Sequence, residues 1–328
     1  MSTISWSKAK TWRRCHKSYD YKYNQRLAPK RQPLPLLRGV ILHEMLDYHA
    51  RGENPFARLD NLAKVHRQLI LDDPETYGTL IEDCRAIIEG YFRTYPEDSS
   101  IYEVISTEQA IDVPLTTGIR FNGFIDKILL EKKYNRRWLV DHKSHKNLPN
   151  EEARFSDLQL AFYVWAYNIS APPGQRIDGI LWDYLRTKTP TMPELLKSGQ
   201  LSKRANIDTD LHTYLKAIKI NQLNPADYSD ILKDLENKPS NFYERVFLPT
   251  PPKALIESSV EDMKNTALEI EYLGKVSHTR NLTKDCSWCS FYDLCHAELR
   301  GLDADFVRKA KFTTKETDHD GDEEILND

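Results

Sequence analysis

Apolar residues recur at helical spacing over residues 37–50 (LRGVILHEMLDYHA) and 79–95, which predicts two amphipathic helices. From residue 101 the pattern changes to extended runs: IYEVISTEQAIDVPL, then IRFNGFIDKILLE, then RRWLVDHKS. Charged turn residues separate the last two, as in a β-hairpin. Residues 156–169 (SDLQLAFYVWAYNI) return to helical spacing, with Ser156 in position to cap the helix. The run IDGILWDYLRT (177–187) again reads as a strand. Pro190 and Pro193 open a less regular stretch in which 208–220 and 227–237 read as helices. YERVFL reads as a short strand before Pro249, Pro251 and Pro252. A helix of about twenty residues is expected over 254–273. This order predicts an α/β fold, a mixed β-sheet core flanked by helices.

Composition narrows the class. A chain of 328 residues, 40% hydrophobic and 29% charged, suits a globular protein with a sizeable core. No apolar run approaches the roughly 18–20 residues of a membrane span. No apolar stretch follows the polar, basic start, so no signal peptide is expected. Five cysteines make a poor disulfide framework and point to a reducing, cytoplasmic setting. The net charge of −3 is unevenly spread: residues 1–40 hold ten Lys or Arg against Asp20 alone. Residues 309–328 hold seven acids against three lysines and read as an acidic disordered tail. The basic N-terminus is interleaved with Trp6, Trp12, Tyr19, Tyr21 and Tyr23. It reads either as a surface that holds phosphates and stacks bases, with Arg13 and Arg14 as DNA-positioning candidates, or as a solvated helix with core aromatics.

The hairpin carries the candidate chemistry. Asp141 and Lys143 share one face of a strand, because side chains alternate with period two. The midpoint between Asp126 and Asp141 falls between Lys133 and Tyr134, inside the charged turn. A symmetric hairpin therefore sets the two acids opposite each other, with Cβ atoms about 4.5–5.5 Å apart. Like charges so placed repel unless a cation with oxygen ligands lies between them. Lys143 beside them is suited to stabilising charge on a phosphate or orienting an attacking water. The competing reading is a surface hairpin with scattered charges. His43 lies inside an apolar helical run, and Gln159 and Tyr163, four apart, share a helix face. Each of these three alone reads more readily as ordinary helix surface or core than as part of a site.

Cys286, Cys289 and Cys295 form C-x2-C-x5-C after the long helix, a spacing that points to metal ligation. Three cysteines leave a fourth ligand to be found for zinc or an iron–sulfur cluster. Cys15, 271 residues before Cys286, and the local His296 both qualify, and Cys84 reads as a small buried residue.

His43, the GFID run ending at Asp126, Asp141-x-Lys143 and Gln159-x3-Tyr163 occur in the order seen in PD-(D/E)XK nucleases of the RecB-like branch. One cysteine ahead of that core and C-x2-C-x5-C behind it resembles the iron–sulfur subgroup. That subgroup includes nuclease subunits of bacterial recombination helicases, a CRISPR-associated spacer-acquisition nuclease and many phage exonucleases. The resemblance spans about residues 5–297. It implies a restriction-endonuclease-like fold whose termini are stapled by a metal cluster. His43, Asp126 and Asp141 would ligate Mg²⁺ or Mn²⁺, and Asp126, Asp141 and Lys143 would be catalytic. Gln159 and Tyr163 would position DNA, and Cys15, Cys286, Cys289 and Cys295 would hold a 4Fe–4S cluster. The chain departs from the pattern in having Asp141 where many members have Glu, and His16 where proline usually follows the first cysteine.

The expected organisation is a single nuclease domain over 1–308, with the acidic tail beyond it. Within the domain lie a helical, basic segment (1–100), a catalytic core (101–187), an insertion-like helical segment (188–250) and a C-terminal helix with the cysteines (251–300). The implied activity is that of a metal-dependent DNA exonuclease acting at single-stranded ends in phage or bacterial recombination, repair or replication. The chain has no P-loop, so a helicase, recombinase or single-strand-binding protein is the expected partner besides DNA. The alternatives are an iron–sulfur DNA-binding module of a replication or recombination complex with a weak active site, and a zinc-binding structural protein.

Overall fold

A computed structural model describes residues 2–96, 98–155, 157–204, 206–237 and 240–315. After a short strand β1 (Ser2–Ile4), Ser5 caps helix α1 (Trp6–Arg14) by accepting the Lys8 N–H. Strand β2 (Leu27–Pro29) precedes α2 (Leu34–Ala50), which starts three residues before the expected 37 because Pro33 and Pro35 suit a helical first turn. Helix α3 (Leu80–Thr94) falls where its periodicity places it. The extended runs become β3 (Tyr102–Thr116), β4 (Ile119–Glu131) and β5 (Arg136–His145). Helix α4 (Gln159–Ser170) begins after Asp157, whose side chain accepts the Gln159 N–H at 3.1 Å; the expected cap, Ser156, lies outside the described residues. Strand β6 (Gly179–Arg186) follows. Helices α5 (Leu211–Ile220) and α6 (Ser229–Asn237) share a small core of Leu201, Tyr214, Ala217, Ile218 and Tyr228. Strand β7 (Tyr243–Pro249), α7 (Lys253–Leu273), α8 (Tyr292–Arg300), α9 (Ala304–Lys311) and β8 (Phe312–Thr314) complete the order.

The sheet runs β1-β4-β5-β6-β7, with β3 also paired to β4. The β3–β4–β5 meander is antiparallel, β5 and β6 are parallel, and β7 closes the sheet antiparallel to β6. A parallel step needs a crossover, and α4 supplies it. On one face α1, α4 and α7 bury Ile4, Phe121, Leu139, Phe162, Trp182 and Met263. On the other, α2 and α3 pack Ile41, Leu42, Met45 and Ile88 against Leu185 and Tyr243. This is the mixed sheet flanked by helices that the pattern predicts. No helix among the described residues is long and apolar enough to cross a membrane.

Two expectations are corrected and one open alternative is decided. Residues 188–250 are not an insertion throughout, because Tyr243–Pro249 is the closing strand of the core sheet. Residues 309–315 do not belong to a tail: Lys309–Lys311 end α9, and β8 pairs with β2 and buries Phe312 against Phe291. The rest of the acidic segment, 316–328, lies outside the described residues. Finally, Trp12, Tyr19, Tyr21 and Tyr23 are buried, and Trp6 packs on Phe162 and Tyr163. The N-terminal aromatics are core, stripped from water by α7 and the cysteine segment, and offer no stacking platform.

Candidate active site

The hairpin folds about its charged turn as the symmetry argument requires. Lys127 pairs with Val140 and Ile128 with Leu139, through to Glu131 with Arg136. Extending that register by one residue sets Asp126 against Asp141, just past the last paired rung. There Asp126 Oδ2 accepts the backbone N–H of His142 at 2.7 Å. His43 on α2 approaches the same oxygen, its Nδ1 3.7 Å away. Asp141 is paired instead with Lys143, whose ammonium lies 2.8 Å from Oδ2 and donates to Oδ1 at 3.0 Å. The ammonium donates a second bond to Gln159 Oε1 at 3.1 Å, so the first residue of α4 fixes the lysine from above the sheet. His43, Asp126, Asp141, Lys143 and Gln159 thus come together from three parts of the chain.

Burial and charge treat the two acids differently. Burial opposes the charge on Asp126, but His43, His142 and Lys143 outweigh it and hold its carboxyl below the usual range. Burial is the main influence on Asp141 and raises its carboxyl to about 7; Asp126 adds to the rise and Lys143 opposes it. Burial also works against the Lys143 ammonium, yet Asp141 and Asp126 more than compensate and raise its pKa. The site therefore pairs one acid biased toward its ionised form with one biased toward its protonated form, beside a lysine whose charge the two acids favour. Asp141 Oδ2 is buried and accepts no aligned hydrogen bond, its near neighbour being the Lys143 ammonium at 2.8 Å.

The remaining candidates lie elsewhere. Tyr163 is 6% exposed and belongs to the core, its ring against Trp6 and Phe121. Arg13 leans on α7, donating to Thr266 at 2.7 Å near Asp262 and Glu269. Arg14 lines a cavity of about 210 Å³ whose walls also include Cys15, Cys286, Cys289 and Cys295. Their sulfurs make only long contacts to oxygen: Cys15 to Thr279 O at 3.9 Å, Cys286 to Asn281 O at 3.8 Å and Cys289 to Ser18 Oγ at 4.0 Å. Arg280 donates to Cys295 Sγ at 3.4 Å. His16, in the place where proline is usual, stacks on Trp12 at 3.6 Å and contacts Ser277, fixing the turn that carries Cys15. His296 also lines the cavity, and Cys84 is buried in the α2–α3 core.

The family model of the PD-(D/E)XK nuclease superfamily matches residues 3–296, nearly the whole chain and every residue of both clusters. The chain belongs to that superfamily. No curated protein matches it. Superfamily members are generally phosphodiester-cleaving nucleases that use Mg²⁺ or Mn²⁺. Among the described residues of this nuclease, no three His, Cys, Asp or Glu side chains are gathered as ligands of one metal ion. Each acid of the pair takes a donor from the chain instead, Asp126 from His142 and Asp141 from Lys143.

Behind the nuclease site lies a buried polar network that sequence reasoning missed. His142 projects to the face opposite Asp141 and Lys143, and its Nδ1 lies 3.0 Å from Asp183 Oδ2 on β6, a close contact outside hydrogen-bond alignment. Asp183 is completely buried and also receives the Tyr91 hydroxyl and Arg245 Nε, while Arg245 forks onto Asp98 with two bonds of 2.6 Å. Burial opposes the charge on Asp183, but His142, Arg245 and Lys127 together hold its carboxyl well below the usual range. His142 is pushed down to about 4, mainly by burial and Lys127, and is neutral at physiological pH. The available signal was an acid inside an apolar strand run, ILWDYLR, since a buried charge demands partners.

Proposed function

We propose that this nuclease is a metal-dependent deoxyribonuclease of the RecB-like, iron–sulfur branch, an exonuclease on single-stranded DNA ends. A role in phage or bacterial recombination, repair or replication, beside a helicase, recombinase or single-strand-binding protein, is part of this reading. The observation that carries it is the meeting of Asp126 and Asp141 across the hairpin with Lys143 bonded to one of them. Two carboxylates, one of whose buried oxygens accepts no aligned hydrogen bond, and one imidazole suit a hard divalent cation, and His43, Asp126 and Asp141 would hold it. Bound there, Mg²⁺ or Mn²⁺ supplies Lewis acidity toward a phosphate and lowers the pKa of a water. Lys143, held charged by the two acids and aimed by Gln159, offsets negative charge that grows on the phosphate during hydrolysis. Asp126 remains ionised throughout, and Asp141 is the carboxyl whose proton must leave first.

The cysteine cavity suits a 4Fe–4S cluster held by Cys15, Cys286, Cys289 and Cys295. Zinc would draw its ligands to within about 2.3 Å of a point, whereas a cubane spreads its four thiolates around a cavity. Four cysteines lining one cavity, three of them with only long oxygen contacts and Cys295 with Arg280, favour the second arrangement. The test is degradation of end-labelled single-stranded DNA with Mn²⁺ or Mg²⁺ by anaerobically purified protein, wild type beside Asp141→Ala. Metal-dependent cleavage lost in the variant is expected. A folded, iron-containing wild type that binds DNA and never cuts it would overturn the catalytic reading in favour of a binding module.

A further inference from the structure

Charged groups that the cleavage site does not itself use are buried directly beneath it. His142 stands between Asp141 and Lys143, so the backbone pleat that places its ring on one face of β5 also places both neighbours on the other. Its backbone N–H is the closest donor to Asp126 Oδ2, at 2.7 Å, and its ring meets the His43 ring edge to face at 6.0 Å. The ring is matched across the β5–β6 ladder to Asp183, and Asp183 across the β6–β7 ladder to Arg245. Asp183 is held by the Tyr91 hydroxyl from α3 and by Arg245, which Asp98 grips in turn. Replacing such a network by apolar residues is often neutral or stabilising, so stability alone is a weak reason for it. It reaches the reacting groups most directly through the His142 peptide, which bonds Asp126.

We propose that Asp183 and His142 form a positioning dyad. Asp183, fixed from behind by Tyr91 and Arg245, orients the His142 ring so that the His142 N–H holds Asp126 and Asp141 and Lys143 project into the site. His142 and Asp183 touch neither substrate nor metal; they act through Asp126 and the pleat of β5. The inference rests on the reading of Asp126 as a metal ligand.

The test is Mn²⁺ binding to the full-length protein, followed by the electron paramagnetic resonance of free Mn²⁺, with thermal unfolding of each variant alongside. Asp183→Asn and His142→Leu are expected to weaken Mn²⁺ binding by about 10–100-fold, the effect typical of groups that orient metal ligands. His142→Asn, which keeps an amide nitrogen near the Nδ1 position, recovers most of that loss. Affinity unchanged in folded Asp183→Asn and His142→Leu overturns the dyad, as does an equal loss from Asn and Leu at 142. Wild-type binding that Asp126→Ala leaves untouched overturns the metal-ligand reading itself, a different failure. If Asp183→Asn does not fold, Tyr91→Phe removes a single hydroxyl and is expected to weaken binding about twofold or more; no change there overturns the proposal.

Discussion

The acid–lysine cluster and the cysteine cavity are both gatherings of reactive side chains, and they are held in opposite ways. Asp126, Asp141 and Lys143 sit on adjacent antiparallel strands, and each already has a short partner from the chain: His142 N–H, Lys143, Gln159. The cysteines come from α1's end and, some 270 residues later, from the turn before α8 and from α8 itself, and three of the four sulfurs find only oxygens at 3.8–4.0 Å. Register organises the first cluster before any cofactor arrives. The second is held by long sulfur contacts and the Arg280–Cys295 bond, and its walls come from segments far apart in the chain, so whatever fills it would join them. Removing a residue from the first should therefore cost chemistry and from the second should cost structure.

The largest expected effect breaks the first cluster alone. Lys143→Ala should lower kcat by about 10²–10³-fold, the range for a lost charge-stabilising group, with the iron content of the protein unchanged. Loss of iron along with activity would mean that the two regions are not independent. Cys289→Ala should do the converse, releasing about four irons per chain and lowering Tm. Hydrogen exchange should then rise in the first 30 residues and beyond residue 277, with β4–β6 still protected. Iron retained at wild-type level would remove Cys289 from the ligand set.

The third prediction follows protons at the acid pair. Asp141 takes up a proton more readily in the folded chain than in the unfolded one. Its contribution to stability is complete below the ordinary aspartate range and is lost as pH rises through about 7. In chelator, thermal stability should thus decline between about pH 4 and 7, by at most about 1.4 kcal/mol per pH unit from this group. Asp126, depressed, works in the opposite sense and loses its contribution only in acid. Asp141→Asn should flatten the decline, and an unchanged profile would assign it to another group. The smallest effect is expected from Arg13→Glu. Because Arg13 bonds Thr266, it should cost about 0.5–1.5 kcal/mol of stability and leave the salt dependence of DNA affinity unaltered. A flatter salt slope would place Arg13 on the phosphate backbone after all.

Much of the first cluster was legible because its information is local. Asp126, Asp141 and the turn between them lie within sixteen residues, and the period of a strand together with a central turn decides which side chains meet. Spacing likewise placed α3, α7 and the three long strands. Residues whose role depends on what lies across the sheet were not legible. Asp183 reads as one acid in an apolar strand, and only the ordering of β5, β6 and β7 brings it His142 and Arg245. Tyr163 shares a helix face with Gln159 in sequence, yet the packing of α1 on α4 makes one core and leaves the other at the site.

The chain alone determined the sheet-forming runs, the opposition of two acids about a charged turn and the cysteine spacing. All of these follow from short-range periodicity, which survives in any fold that buries the apolar positions. Tertiary structure alone decided that the N-terminal aromatics are core and that Phe312–Thr314 close a second small sheet. It also brought Cys15 to the cavity of Cys286, Cys289 and Cys295. Such pairings join segments hundreds of residues apart, and they depend on which surfaces remain to be covered once the central sheet has formed.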